Sequence, residues 1–211
     1  MNFLAHCALA DEASKRWSGG GELGTGLLAG AILADFSKGP IPSNLPENLK
    51  LGIRLHRRID AFSNQNDAIR ETCAEFPSEL RRYAPIFVDV LADHYLSLGW
   101  HNYYNEPRAK FSQRCYQACE EFRDLPEYTD TANLQRFLNY MNQTDLLAGY
   151  DQWAHVERAL GSILTRLGKE ELFDVTNAVC LAQLDSGQRA FRIYFDQLRD
   201  QLTDWSSLIA P

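Results

Sequence analysis

Histidines and aspartates recur through the first half of this chain at helical spacing. His6 closes the opening Met1-Asn2-Phe3-Leu4-Ala5-His6, and Asp35 ends an apolar run from Leu27 to Phe36. His56 and Asp60 are four apart, and Asp89, Asp93 and His94 fall within the apolar segment from Pro85 to Leu96. Residues four apart share one face of a helix. Carboxylates and imidazoles set among apolar neighbours are costly to bury unless they are paired or bound to a metal. The set therefore points to a metal-dependent hydrolase site assembled from several helices.

A mixed His/Asp set without cysteine thiolates suits Mn²⁺, Mg²⁺ or Fe²⁺ better than structural zinc. A divalent ion of this kind makes a nucleophile from bound water at neutral pH and neutralises charge on phosphoryl oxygens. Arg57 and Arg58 adjoin His56, and Arg81 and Arg82 precede the Asp89 segment. Arginine forks bind phosphate oxygens in pairs. Metal, water and arginine together describe phosphoester hydrolysis better than proteolysis, and the HExxH zinc-protease pattern is absent.

Each residue taken singly has a plainer reading. His6 could be a satisfied core histidine, Asp35 a turn cap, and His56 with Asp60 a surface ion pair. Asp93-His94, at the end of an apolar run, is harder to explain that way. His101 and His155 read as surface or packing residues, and Asp145 and Asp151 as turn or cap residues.

The elements that must position these groups are helical, because most segments alternate apolar residues at three and four and few read as strands. Ser18 to Gly26 reads as a glycine-rich loop. It is not a phosphate loop, since no Gly-Lys-Ser/Thr follows. A helix over 27–36 carries Asp35 and stops at Lys38-Gly39-Pro40. Another, from about Glu47, carries Arg54, His56, Arg57 and Asp60, and Ser63 to Asn66 caps its successor. Pro85 suits the first turn of the helix bearing Asp89, Asp93 and His94. Further on, 111–122, the stripe Leu134-Phe137-Leu138-Met141, the stripe from Trp153 to Leu167, and 170–205 all read as helix, the last with a weak point at Ser186-Gly187. The pattern predicts one all-α domain over residues 1–211, with the site carried mainly by 1–102.

The 211 residues carry a net charge of −7, with 28 acidic against 21 basic side chains, which disfavours nucleic acid as a partner. The segment 50–82 runs the other way, with seven Lys/Arg against five acids. Such a face suits an anionic substrate or an acidic protein, or is simply solvated and ion-paired. Five cysteines without disulfide-like spacing argue for reduced thiols and a cytoplasmic setting. Cys115 and Cys119 read as packing on one helix face. No basic secretory leader is evident, and the longest apolar run is too short to span a bilayer.

Several blocks together resemble the acyl carrier protein phosphodiesterases. They are Met1 to His6, Leu33-Ala34-Asp35-Phe36 with Lys38-Gly39, Gly52 with His56 to Asp60, and Arg81-Arg82-Tyr83-Ala84-Pro85 running into Asp89-Val90 and Asp93 to Ser97, with Trp100 beyond. The resemblance covers residues 1 to about 102. It implies an all-helical, HD-phosphohydrolase-like fold. It also implies hydrolysis of 4′-phosphopantetheine from holo-acyl carrier protein to give the apo protein, with Mn²⁺ (or Mg²⁺ or Fe²⁺). By the same resemblance Asp35, His56, Asp60, Asp89 and Asp93 would hold the metal. His6, His94 and Arg58 would act in catalysis, with His6 or His94 orienting water or protonating the leaving serine oxygen. Arg57, Arg81 and Arg82 would meet the phosphate or the acidic carrier. The chain departs from the family pattern in a longer, glycine-richer segment over 10–25, and has Asp93-His94 where ordinary HD proteins have adjacent His-Asp.

Three other readings compete. One is an HD-like phosphohydrolase of a nucleotide or small phosphoester. Another is a non-catalytic helical module that binds the carrier protein. The third, Cys7 as a thiol nucleophile, lacks a second basic partner in the sequence.

Overall fold

A computed structural model describes residues 2–18, 22–125 and 131–208. Among them every regular element is helical: α1 (Phe3–Ser18), α2 (Glu22–Leu33), α3 (Glu47–Gln65), α4 (Asp67–Ala74), α5 (Ala84–Leu98), α6 (Trp100–Tyr103), α7 (Arg108–Phe122), α8 (Thr131–Thr144), α9 (Leu146–Gly149), α10 (Trp153–Leu167), α11 (Phe173–Ala182) and α12 (Leu184–Asp204). Short 3-10 turns follow α2 (Ala34–Phe36), α10 (Glu170–Leu172) and α12 (Trp205–Leu208). The all-α expectation holds.

Local chemistry explains several boundaries. Asn66 accepts from the Ala68 N–H and so caps α4. Pro85 occupies the first turn of α5, where its missing N–H costs nothing. Gly168, at φ 63°, ends α10 in the left-handed conformation that glycine adopts without a Cβ penalty. The last stretch is not one helix. It breaks at Gln183, and Gly187 lies inside α12 where a Cβ would strike the Tyr95 ring.

The glycine-rich segment departs from expectation. Glu22 to Gly26 are helical, as the first turns of α2, while residues 19–21 lie outside the described ones. The reason is tertiary. α2 crosses α3 with backbone on backbone: a Cβ on Gly30 would sit 2.5 Å from Gly52, and one on Gly52 would sit 2.5 Å from the Gly26 carbonyl oxygen. Close packing against α3 offsets the poor helix propensity of glycine. It also brings the turn after α2, with Asp35, beside the middle of α3.

α1 runs through the core, with Leu4 to Ala10 buried without a break. Its two buried acids are satisfied by cations. Asp11 pairs with Lys15 and Arg114, and Glu12 pairs with Arg16 and Arg199 and accepts from the Tyr104 hydroxyl. These contacts tie α1 to α7 and α12. One continuous apolar cluster joins both halves of the chain, from Leu4 to Trp205. The five cysteines are all free, and Cys115 and Cys119 are buried on α7 as packing residues. No helix among the described residues is long and apolar enough to cross a membrane.

Candidate metal centre

Three elements bring the reactive side chains together. α1 supplies His6 from its first turn, α3 supplies His56 and Asp60 one turn apart, and the 3-10 turn after α2 supplies Asp35. Asp60 reaches both imidazoles, with Oδ1 3.1 Å from His6 Nε2 and Oδ2 3.2 Å from His56 Nε2. Asp35 Oδ1 lies 3.5 Å from the same His56 nitrogen. The two rings stack at 3.9 Å between centroids and 13° from parallel.

The tautomer of His56 follows from its other nitrogen. Nδ1 lies 2.9 Å from the Ala31 carbonyl oxygen, which only accepts, so Nδ1 carries the proton and Nε2 faces the carboxylates. This is the outer contact that fixes a metal-binding histidine in orientation and tautomer. His6 is 1% exposed, yet neither of its ring nitrogens makes a hydrogen bond of good geometry. A buried imidazole left in that state, aimed at a carboxylate, suits a cation.

The charges agree with that reading. Burial alone would lower the His56 pKa, but hydrogen bonds to Asp35 and Asp60 raise it to about 9. Burial, together with the neighbouring His56, lowers His6 to about 4. Asp60 would be raised by burial, but the two imidazoles against it, His56 above all, hold it far below the usual carboxylate range. Burial pushes Asp89 up, and the charges of Asp60 and Asp35 add to it. One donor atom each from His6, His56 and Asp60 lies within 4.8 Å of the others. Metal–ligand bonds of about 2.1 Å place neighbouring donors about 3–4 Å apart. The donors present therefore fit a divalent ion that accepts nitrogen and oxygen.

The cluster opens into a cleft of about 1090 Å³. Asp35, His56, Asp60 and Asp89 line it, beside Lys38 and Asn64. The C-terminal half lines it too, with Phe137 and Tyr140 from α8, Tyr150, and His155, Arg158, Ser162 and Arg166 from α10.

The other residues singled out in the sequence are not in the cleft. Asp93 is fully buried, and its two oxygens accept from the backbone N–H groups of Leu4 and Ala5 at 2.9 Å each. It caps α1 at the two residues immediately before His6. Its pKa, raised by burial and opposed by those two bonds, is about 7. His94 Nδ1 donates to the Tyr150 carbonyl at 2.7 Å, and its ring meets Trp153 edge-on. Arg58 lies over the Trp205 ring. Arg57 donates to the Ser37 carbonyl at 2.6 Å and so braces the turn carrying Asp35. Arg81 donates to the Phe76 carbonyl, and Arg82 lies against Tyr83 and donates to its hydroxyl.

The sequence reading missed the α10 residues. His155 stood outside the early His/Asp set, and Arg158 and Arg166 look like ordinary surface charge. Only their spacing of eight, with Ser162 between, marks one helix face. Asp145 and Asp151 sit in turns, as expected, and their side chains tie those turns to other elements. Asp145 sits at φ 43° between α8 and α9 and accepts from Ser112 and Tyr116, and Asp151 pairs with Arg108.

The profile of the acyl carrier protein phosphodiesterase family matches residues 1–202. The chain belongs to the acyl carrier protein phosphodiesterase family. Relatives named acyl carrier protein phosphodiesterase, from Escherichia coli O6:H1 (strain CFT073), O139:H28 (strain E24377A) and strain K12 / DH10B, are each 32% identical over 170 residues, covering 79% of both chains. The family match thus extends past residue 102, and the α8 and α10 cleft walls lie inside it. No solved structure matches the chain.

Proposed function

We propose that this chain is a divalent-metal-dependent phosphodiesterase that hydrolyses holo-acyl carrier protein, releasing 4′-phosphopantetheine and leaving the apo protein. Family membership supports the substrate. The observation that carries metal dependence is the buried, stacked pair His6 and His56 with both Nε2 atoms on Asp60. His6, His56, Asp60 and Asp35 would hold the ion, with Asp89 beside them. Mn²⁺ suits this donor set, and Mg²⁺ or Fe²⁺ are the alternatives. A bound ion would supply positive charge for the phosphoryl oxygens and acidify water at neutral pH.

The chain's own groups do the rest. The Ala31 carbonyl and Asp93 hold the two imidazoles in place, one through Nδ1 of His56 and one through the start of α1. The leaving serine oxygen needs a proton. His155 is the imidazole that lines the cleft without joining the ligand cluster, and its Nδ1 has no partner among the described residues. Gly149 lets it in, since a Cβ there would lie 2.5 Å from the ring. We assign proton donation to His155 in place of His94. Kinship with HD-type phosphohydrolases belongs to the same proposal. Its support is a helical frame around a His/Asp cluster, with His56 and Asp60 one turn apart rather than adjacent. A cytoplasmic setting belongs to the same proposal, and the five free cysteines accord with it.

The test is intact mass spectrometry of holo-acyl carrier protein after incubation with this protein and Mn²⁺, beside a chelator control. The expected result is loss of the phosphopantetheine mass with metal and retention with chelator. Equal loss in both arms would refute metal dependence, and retention in both would refute the substrate.

A further inference from the structure

Among the described residues, Arg158 and Arg166 form no ion pair and no hydrogen bond, although both line the cleft that holds the His/Asp cluster. They are exposed and lie eight positions apart on α10, with Ser162 between them. At 1.5 Å per residue that is about 12 Å along one face. The arginines that the family resemblance assigned to substrate (Arg57, Arg81, Arg82) or to catalysis (Arg58) are otherwise engaged. Arg57 and Arg81 hold carbonyls, and Arg58 and Arg82 lie over rings.

Electrostatics makes the free pair informative. The chain is net −7, and the cleft gathers Asp35, Asp60 and Asp89, so an acidic protein approaching it meets repulsion overall. Unpaired guanidinium groups at the same cleft reverse that locally. Their separation suits separate carboxylates on a protein surface better than one phosphate.

We propose that Arg158 and Arg166 form a docking row on α10 for an acidic surface of the protein substrate, fixing its orientation so that the prosthetic arm enters the cleft. This rests on the reading of holo-carrier protein as substrate.

The experiment compares R158E/R166E with R189E/R192E, an equal charge change on exposed positions of α12 outside the cleft. Two quantities are read with Mn²⁺ present: KM for holo-carrier protein, and Kd for apo-carrier protein, which lacks the arm and its phosphate. R158E/R166E is expected to raise both at least tenfold, and R189E/R192E to leave both within twofold. The neutral pair R158Q/R166Q should shift both in the same direction, by less. An unchanged Kd for apo-carrier overturns the docking row. A raised KM with unchanged Kd would instead place the arginines on the phosphodiester. An equal rise in R189E/R192E would reduce the effect to net charge and also overturns it. If wild type binds apo-carrier through these arginines but releases nothing from holo-carrier, the docking row stands and the hydrolase reading falls.

Discussion

The imidazoles of His6 and His56 lie face to face, 3.9 Å between centroids, and a single carboxylate, Asp60, meets both Nε2 atoms. Two stacked imidazoles so close do not both carry protons at neutral pH. His56, with two carboxylates, keeps its proton to about 9, while His6 gives its proton up near 4. A divalent ion at the shared edge would displace the remaining proton and balance the acids around it.

Metal affinity should therefore depend on pH. Ligation needs neutral imidazole, so it competes with the His56 proton. Below about pH 9, Mn²⁺ binding should tighten by about tenfold per pH unit, with one proton released. Stability of the metal-free protein runs the other way. The raised His56 pKa contributes stability that is full below about 6.5 and lost as pH passes through about 9. Calorimetric titrations at pH 6.5, 7.5 and 8.5 in buffers of different ionisation enthalpy check both slope and proton count. A flat affinity would show that His56 is not displaced.

Asp93→Ala should destabilise the protein with or without metal. It strips the acceptors from two buried N–H groups at the start of α1. Each such loss costs about 1–3 kcal/mol, which for a chain of this size lowers Tm by about 4 °C or more. Thermal unfolding of the metal-free variant reads this. An unchanged metal-free Tm would return Asp93 to the ligand candidates.

Gly52→Ala tests the α2–α3 crossing that sets Asp35 beside His56. The added methyl would meet the Gly26 carbonyl at 2.5 Å, and overpacking of this kind costs about 1–3 kcal/mol. The helices must separate, so Tm and Mn²⁺ affinity should fall together. A variant that keeps both would show that the crossing does not set the ligand geometry.

His155→Gln should lower kcat by about 100-fold, in the range of a lost general acid, while Mn²⁺ still binds. Full kcat in the variant would remove His155 from the proton path.

Much of the frame was legible in the sequence, because α3, α5, α7, α8 and α10 carry apolar residues at helical spacing and Pro85 marks the start of α5. Asp60 and Asp93 show where legibility ended. Both are aspartates among apolar neighbours on helices, so one-dimensional pattern treats them alike. Only the fold puts Asp93 under the backbone of Leu4 and Ala5 and puts Asp60 between two histidines. The start of α2 was hidden for a similar reason, since its glycines act through contact with α3 and not through propensity. Arg158 and Arg166 carried no signal until α10 was seen to line the cleft.

Pulsed electron paramagnetic resonance of the protein loaded with one equivalent of Mn²⁺ tests the metal centre most directly. ¹⁴N couplings from two histidines are expected, reduced to one in His6→Ala and in His56→Ala, with binding lost in Asp60→Ala. A spectrum of the solvated ion without ¹⁴N coupling, or couplings that survive removal of both histidines, would contradict that expectation.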